Sequence, residues 1–123
     1  NDLAYIETEA DQISKLTIEN GKTLKVIIES GILTEEEIIK CCEIYKHFPV
    51  QFLKTSTGYA DKGASVDAVQ IMRKHLPKEI QIKASGGIRT ADFAQQLVVA
   101  GATRLGCSAS VAIVQGQNGS GNY

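Results

Sequence analysis

The sequence predicts an α/β fold of about four βα units, the count expected of half a (β/α)8 TIM barrel. Three observations carry that reading. Short β-prone segments alternate with amphipathic helical stretches, the pattern of right-handed βαβ units around a parallel sheet. One unit follows the next every two to three dozen residues, a length that suits either a doubly wound sheet or a barrel. In each unit the polar and small residues collect at the C-terminal end of the strand: Glu29 and Ser30, Lys54 to Gly58, Lys83 to Gly87, and Gly106 to Ser108. A barrel brings such ends together at one mouth, whereas an open sheet spreads them along an edge.

The elements follow in order. Residues 3–20 place Leu3, Ile6, Ala10, Ile13, Leu16 and Thr17 near helical spacing. Strand 24–29 (LKVIIE) comes next. Thr34, followed by Glu35, Glu36 and Glu37, starts a helix: a threonine cap, a glutamate at the capping-box position and acid at the positive end of the helix dipole. That helix carries Ile38, Ile39, Cys42 and Tyr45 until Pro49 forbids continuation. After strand 51–56 (QFLKTS), Ser65 or Asp67 opens a third helix that ends before Pro77. Strand 80–84 (IQIKA) precedes a helix from Thr90 to Gly101, and strand 103–107 (TRLGC) closes the series.

Four strands leave a barrel's inner face wet and two sheet edges unpaired. Together with the absence of an initiator methionine before Asn1, this leads to the expectation that the chain is one half of a larger domain, with a self-pairing half-barrel dimer as the alternative. Residues 1–114 form the half-domain and 115–123 (QGQNGSGNY) a flexible tail.

Composition narrows the function classes. The 123 residues are 43% hydrophobic and carry a net charge of −1, which gives no reason to expect nucleic acid or an anionic membrane as partner. No apolar run is long enough to span a bilayer. Cys41, Cys42 and Cys107 are odd in number and form no C-x-x-C pair, so a reducing, cytoplasmic setting is expected. No His, Cys, Asp and Glu cluster has metal-ligand spacing, and no cofactor is called for. His47 and His75 are read as surface residues, and Arg89 and Arg104 as either anion contacts or, by default, outward structural residues.

Period-two alternation puts Phe52, Lys54 and Ser56 on one strand face, with Leu53 and Thr55 on the other; it also sets Gln81 and Lys83 opposite Ile80 and Ile82. Two neighbouring strands therefore each present a lysine to the barrel side. Two ammonium groups about 4 Å apart repel by about 4 kcal/mol at an effective dielectric of about 20, enough to hold one of them neutral at physiological pH. A neutral amine condenses with a carbonyl to an imine, which drains electrons from the adjacent C–C bond. Spacing alone does not decide which lysine attacks. Gly86-Gly87 and Gly106 with Ser108 suit a phosphate dianion if these are the last two barrel strands. Lys25 and Glu29 share a face and form either an ion pair or part of the site. A phosphate-binding barrel enzyme with an enol intermediate and a non-catalytic anion-binding module are the competing readings.

At FLKTSTGY (Phe52 to Tyr59) and IKASGGIR (Ile82 to Arg89) the chain resembles the deoxyribose-phosphate aldolases, with support from LKVIIESGIL (Leu24 to Leu33), Met72 to Lys74, and AGATRLGCSASVAIV (Ala100 to Val114). The resemblance implies the second half of a (β/α)8 barrel and a class I aldolase acting on a small phosphorylated sugar, 2-deoxy-D-ribose 5-phosphate. It implies Lys54 as the imine lysine and Lys83 as the lysine that tunes it and relays protons. It also implies Thr57, Gly58, Gly86, Gly87 and Ser108 at the substrate and phosphate site, Lys25 near the barrel centre, and Tyr123 as a proton shuttle reaching back from the tail. Ala109 stands where some relatives carry serine. The family's catalytic aspartate belongs to the other half-barrel, so the resemblance makes an N-terminal half-barrel the expected partner, and this chain alone is expected to be inactive or nearly so.

Overall fold

The computed structural model describes residues 2–118; Asn1 and residues 119–123, including Tyr123, lie outside the described part. Its elements run α1 (Leu3–Glu19), β1 (Lys25–Ile27), a 3-10 turn (Ser30–Ile32), α2 (Glu35–Tyr45), β2 (Phe52–Lys54), α3 (Val66–His75), β3 (Gln81–Ser85), α4 (Ala91–Ala100), β4 (Arg104–Gly106) and α5 (Ser110–Val114). The strands form one parallel four-stranded sheet in the order β1-β2-β3-β4, so chain neighbours are sheet neighbours throughout. An unbroken run of adjacent parallel strands is the barrel's order; a doubly wound sheet reverses at a switch point.

The helix starts are those written in the sequence. Thr34 accepts from the Glu37 amide while the Glu37 carboxylate accepts from the Thr34 amide, a complete capping box. Ser65 caps α3 through the Ala68 amide, which settles the choice between Ser65 and Asp67, and Thr90 caps α4 through the Phe93 amide. Gly101, at φ 123°, ends α4, and a Cβ there would lie 2.7 Å from Cγ of Arg73. That arginine spans the α3 exit, donating to the carbonyls of Leu76, Pro77 and Ile80. Two short elements had no sequence signal: the 3-10 turn, and α5, whose capping residue Ala109 has no polar side chain.

The core lies on one side of the sheet. Leu53, Ile82 and Ala84 are fully buried, packed with Val69 and Met72 of α3 and Leu97 of α4. Val26 and Leu105 join the same cluster from β1 and β4. Burial on this helical face supplies the hydrophobic stabilisation that holds the strands in register. Strand pleating then sends the alternate residues to the opposite face. Among the described residues that face is lined by Lys25, Ile27, Phe52, Lys54, Gln81, Lys83 and Arg104, and none of them belongs to the core cluster. No helix is long and apolar enough to cross a membrane.

Candidate active site

The register places Lys54 of β2 directly opposite Lys83 of β3. Neighbouring strands lie about 4.8 Å apart, and registered partners in a parallel pair point to the same face. The two lysines therefore leave the sheet side by side at its C-terminal end. Lys54 is 8% exposed and Lys83 half-buried. Gly106 on β4 makes room for Lys83: a Cβ at Gly106 would sit 2.9 Å from Lys83 Cε and 3.1 Å from Ser85 Cβ.

Beneath the lysines the ends of β2 and β3 are joined by a buried hydroxyl network. Thr55 Oγ1 donates to the Ser85 carbonyl and accepts from the Ser85 amide at 3.1 Å and from Ser56 Oγ at 3.0 Å; Ser85 Oγ donates to the Ser56 carbonyl at 2.7 Å. All three hydroxyl residues are fully buried. Satisfied polar contacts at that depth fix the backbone carrying both lysines, since each broken partner would leave a buried group unpaired. Sequence alternation located the lysines but gave no sign of this network.

The turn after Lys54 is held from β1. Glu29, half-buried, adopts φ 54° and ψ 53°, a left-handed conformation uncommon for glutamate. Its carboxylate accepts from the Thr57 amide at 3.1 Å and from the Thr57 hydroxyl. Lys25 and Glu29 therefore form no ion pair; the strand ends at Ile27, and the left-handed turn at Glu29 breaks the parity on which that pairing rested. Lys25 is exposed and lines a cleft of about 280 Å³ beside α1, together with Ile27 and Tyr45. Neither Lys54 nor Lys83 lines this cleft, and its Ile27 pairs in register with Lys54.

The glycine turns divide their work. Gly63 and Gly86 pack backbone against backbone, since a Cβ on Gly63 would meet the Gly86 carbonyl oxygen at 2.3 Å. The Ala64 amide donates to the carbonyls of Ser85 and Gly86, locking the loop after β2 onto the turn after β3. Gly86 is buried there, whereas Gly87 and Ser108 are exposed and Gly58 is half-buried at φ 97°. Gly63 carried no signal in the sequence, because its requirement arises only from contact with another loop.

Arg104 corrects an expectation. It pairs in register with Lys83, and its guanidinium stacks 4.3 Å from the centroid of the Phe52 ring, so it lies on the lysine face and not outward. Arg89 is exposed. His47 is exposed, while His75 is half-buried with Nδ1 3.7 Å from Glu43. The hydrogen bond from Lys46 holds the Glu43 carboxyl below its usual range. The three cysteines are free, and burial pushes the Cys42 thiol up to about 12. Among the described residues no three His, Cys, Asp or Glu side chains converge as a metal site.

Four consecutive parallel βα units with a lysine pair at the strand ends put the chain in the (β/α)8-barrel class, as half of such a barrel. No protein-family model matches it. It is 44% identical over 115 residues to a deoxyribose-phosphate aldolase of Thermococcus kodakarensis, covering 94% of this chain and 51% of the relative. With that of Mannheimia succiniciproducens it shares 49% identity over 105 residues, covering 85% and 47% respectively. The solved deoxyribose phosphate aldolase of Aeropyrum pernix, described as a tetramer, superposes with a TM-score of 0.82 at 28% identity, covering 92% of this chain and 49% of that one. The chain thus spans about half the length of the relatives it matches. Over nearly its whole length the chain is similar to deoxyribose-phosphate aldolases.

Proposed function

We propose that this chain supplies the imine-forming, C-terminal half of a class I aldolase that reversibly cleaves 2-deoxy-D-ribose 5-phosphate to acetaldehyde and D-glyceraldehyde 3-phosphate. The observation that carries the reading is the direct pairing of Lys54 with Lys83 at the C-terminal end of the sheet. Lys54, the more buried, is the attacking amine. Its Nζ adds to the sugar aldehyde, water leaves, and the protonated imine accepts the electron pair of the C2–C3 bond as the C3 hydroxyl gives up its proton. D-glyceraldehyde 3-phosphate departs; the resulting enamine is protonated at C2, and hydrolysis releases acetaldehyde and the free lysine. Lys83, held beside it by the space at Gly106, is the neighbouring cation and proton relay. The exposed Gly87 turn and Ser108 are the phosphate side of the site, Thr57 and Gly58 shape the substrate side, and Tyr123 is a further candidate for proton transfer.

The open sheet face and the edges of β1 and β4 call for a cover. The proposed cover is the N-terminal half-barrel of the same enzyme, which would bring the remaining acid–base group; a homodimer of this chain is the competing arrangement. Three free cysteines favour a cytoplasmic assignment. The test is to join this chain to the N-terminal half of the Thermococcus kodakarensis relative and assay the release of acetaldehyde. Turnover that disappears on Lys54→Ala supports the proposal, and turnover that survives that change refutes it.

A further inference from the structure

Glu29 stands out because nothing in the reaction just proposed uses it. Of the described residues other than glycine, it is the one with positive φ, and the conformation is kept at the mouth of the sheet, where strained residues gather around function. The left-handed turn aims the carboxylate across the strand end at Thr57, taking both its amide and its hydroxyl. Thr57 Oγ1 in turn accepts from the Tyr59 amide at 3.2 Å, across the positive-φ Gly58. Either side of Glu29, the backbone is anchored to the lysine strand: the Ile28 amide donates to the Lys54 carbonyl at 3.1 Å and the Ser30 amide to the Thr55 carbonyl at 2.7 Å. The Glu29 carboxylate thereby ties the end of β1 to Thr57, while the amides of its two neighbours hold the same segment to the lysine strand.

We infer that Glu29 is a positioning residue for Lys54, clamping the Thr57–Tyr59 turn so that the amine is presented in one geometry; this rests on the aldolase reading above. It has a second consequence. With both donors of Thr57 turned to a carboxylate, Thr57 is not an anion donor in this state, and phosphate recognition falls to the Gly87 and Ser108 side.

The test uses this chain joined to the N-terminal half of the Thermococcus kodakarensis relative, with acetaldehyde and borohydride to trap the imine on Lys54 and amide exchange to follow Thr57. Glu29→Gly keeps the φ 54° backbone unstrained and removes the side chain with its carboxylate. The expected result is loss of Thr57 amide protection and a trapping rate lower by about tenfold, since small misplacements of a reacting group are costly. Glu29→Gln, which keeps an acceptor oxygen, should restore most of both. A purely backbone role for Glu29 predicts the opposite: glycine would leave trapping and protection unchanged, and that result overturns the inference. If the unsubstituted joined protein traps nothing on Lys54, the aldolase reading fails by itself. Thr57 protection then decides the clamp, and unchanged protection in Glu29→Gly rejects it.

Discussion

Lys83 of β3 lies in register beside Lys54 of β2, and its stem occupies the space that Gly106 on β4 leaves by having no side chain. Three strands thus cooperate in a geometry that none of them specifies alone. Gly106→Ala tests it. The new Cβ, 2.9 Å from Lys83 Cε, must push the lysine tip aside. In the reconstituted enzyme this should lower kcat by about tenfold to a hundredfold, with the far-ultraviolet circular dichroism unchanged. An unaltered kcat would separate Lys83 from the chemistry.

Gly63→Ala strikes the contact between the two loops at the mouth. Its Cβ would meet the Gly86 carbonyl oxygen at 2.3 Å and carbonyl carbon at 2.4 Å, and backbone cannot swing away as a flexible side chain would. Overpacking of this kind costs about 1–3 kcal/mol. Urea denaturation should show that loss, along with weaker protection of the Ala64 amide; unchanged stability and protection would mean that the loops do not pack as described.

Stability should divide by position. Leu53→Ala, at a fully buried site on the helical face of the sheet, is expected to cost about 2–5 kcal/mol. Thr34→Ala, which dismantles an exposed capping box, should cost about 1 kcal/mol. Equal losses from the two changes would contradict the placement of the core.

Alkaline pH should destabilise the chain in a defined window. Burial, aided by the nearby Cys41 and Glu43, raises Cys42 from 9.0 to about 12. Burial, with Cys41 and Glu9, raises Tyr45 from 10.0 to about 12. Because both folded values are raised, the unfolded chain releases these protons first. The stability they contribute is complete below about pH 9 and is lost as pH climbs toward about 12. Denaturation midpoints measured from pH 8 upward should fall, and less steeply in Cys42→Ala at the start of the window. The same slope in that variant would exclude Cys42 as a contributor.

The parts that could be read in the sequence were those set by local chemistry. Thr34, Ser65 and Thr90 are capping residues whose function depends on amides three positions away, and the helices begin where they do. Lys54 and Lys83 share a face because strand alternation requires it and because Leu53 and Ile82 demand the other one. What could not be read depends on contacts between segments distant in the chain. The left-handed turn at Glu29 broke the parity that had suggested pairing with Lys25, and Gly63 matters only because Gly86 comes to rest on it. An outward structural role is the default for Arg104, but its register with Lys83 and its contact with the Phe52 ring set this exposed arginine on the lysine face.

The central claim is that Lys54 forms the imine. Treating the chain joined to its N-terminal half-barrel with acetaldehyde, reducing with borohydride and sequencing the peptides by mass spectrometry tests that claim most directly. An ethyl group on Lys54, lost in Lys54→Ala and not transferred to Lys83, is the predicted result. Modification confined to Lys83, or no modified lysine at all, would contradict it.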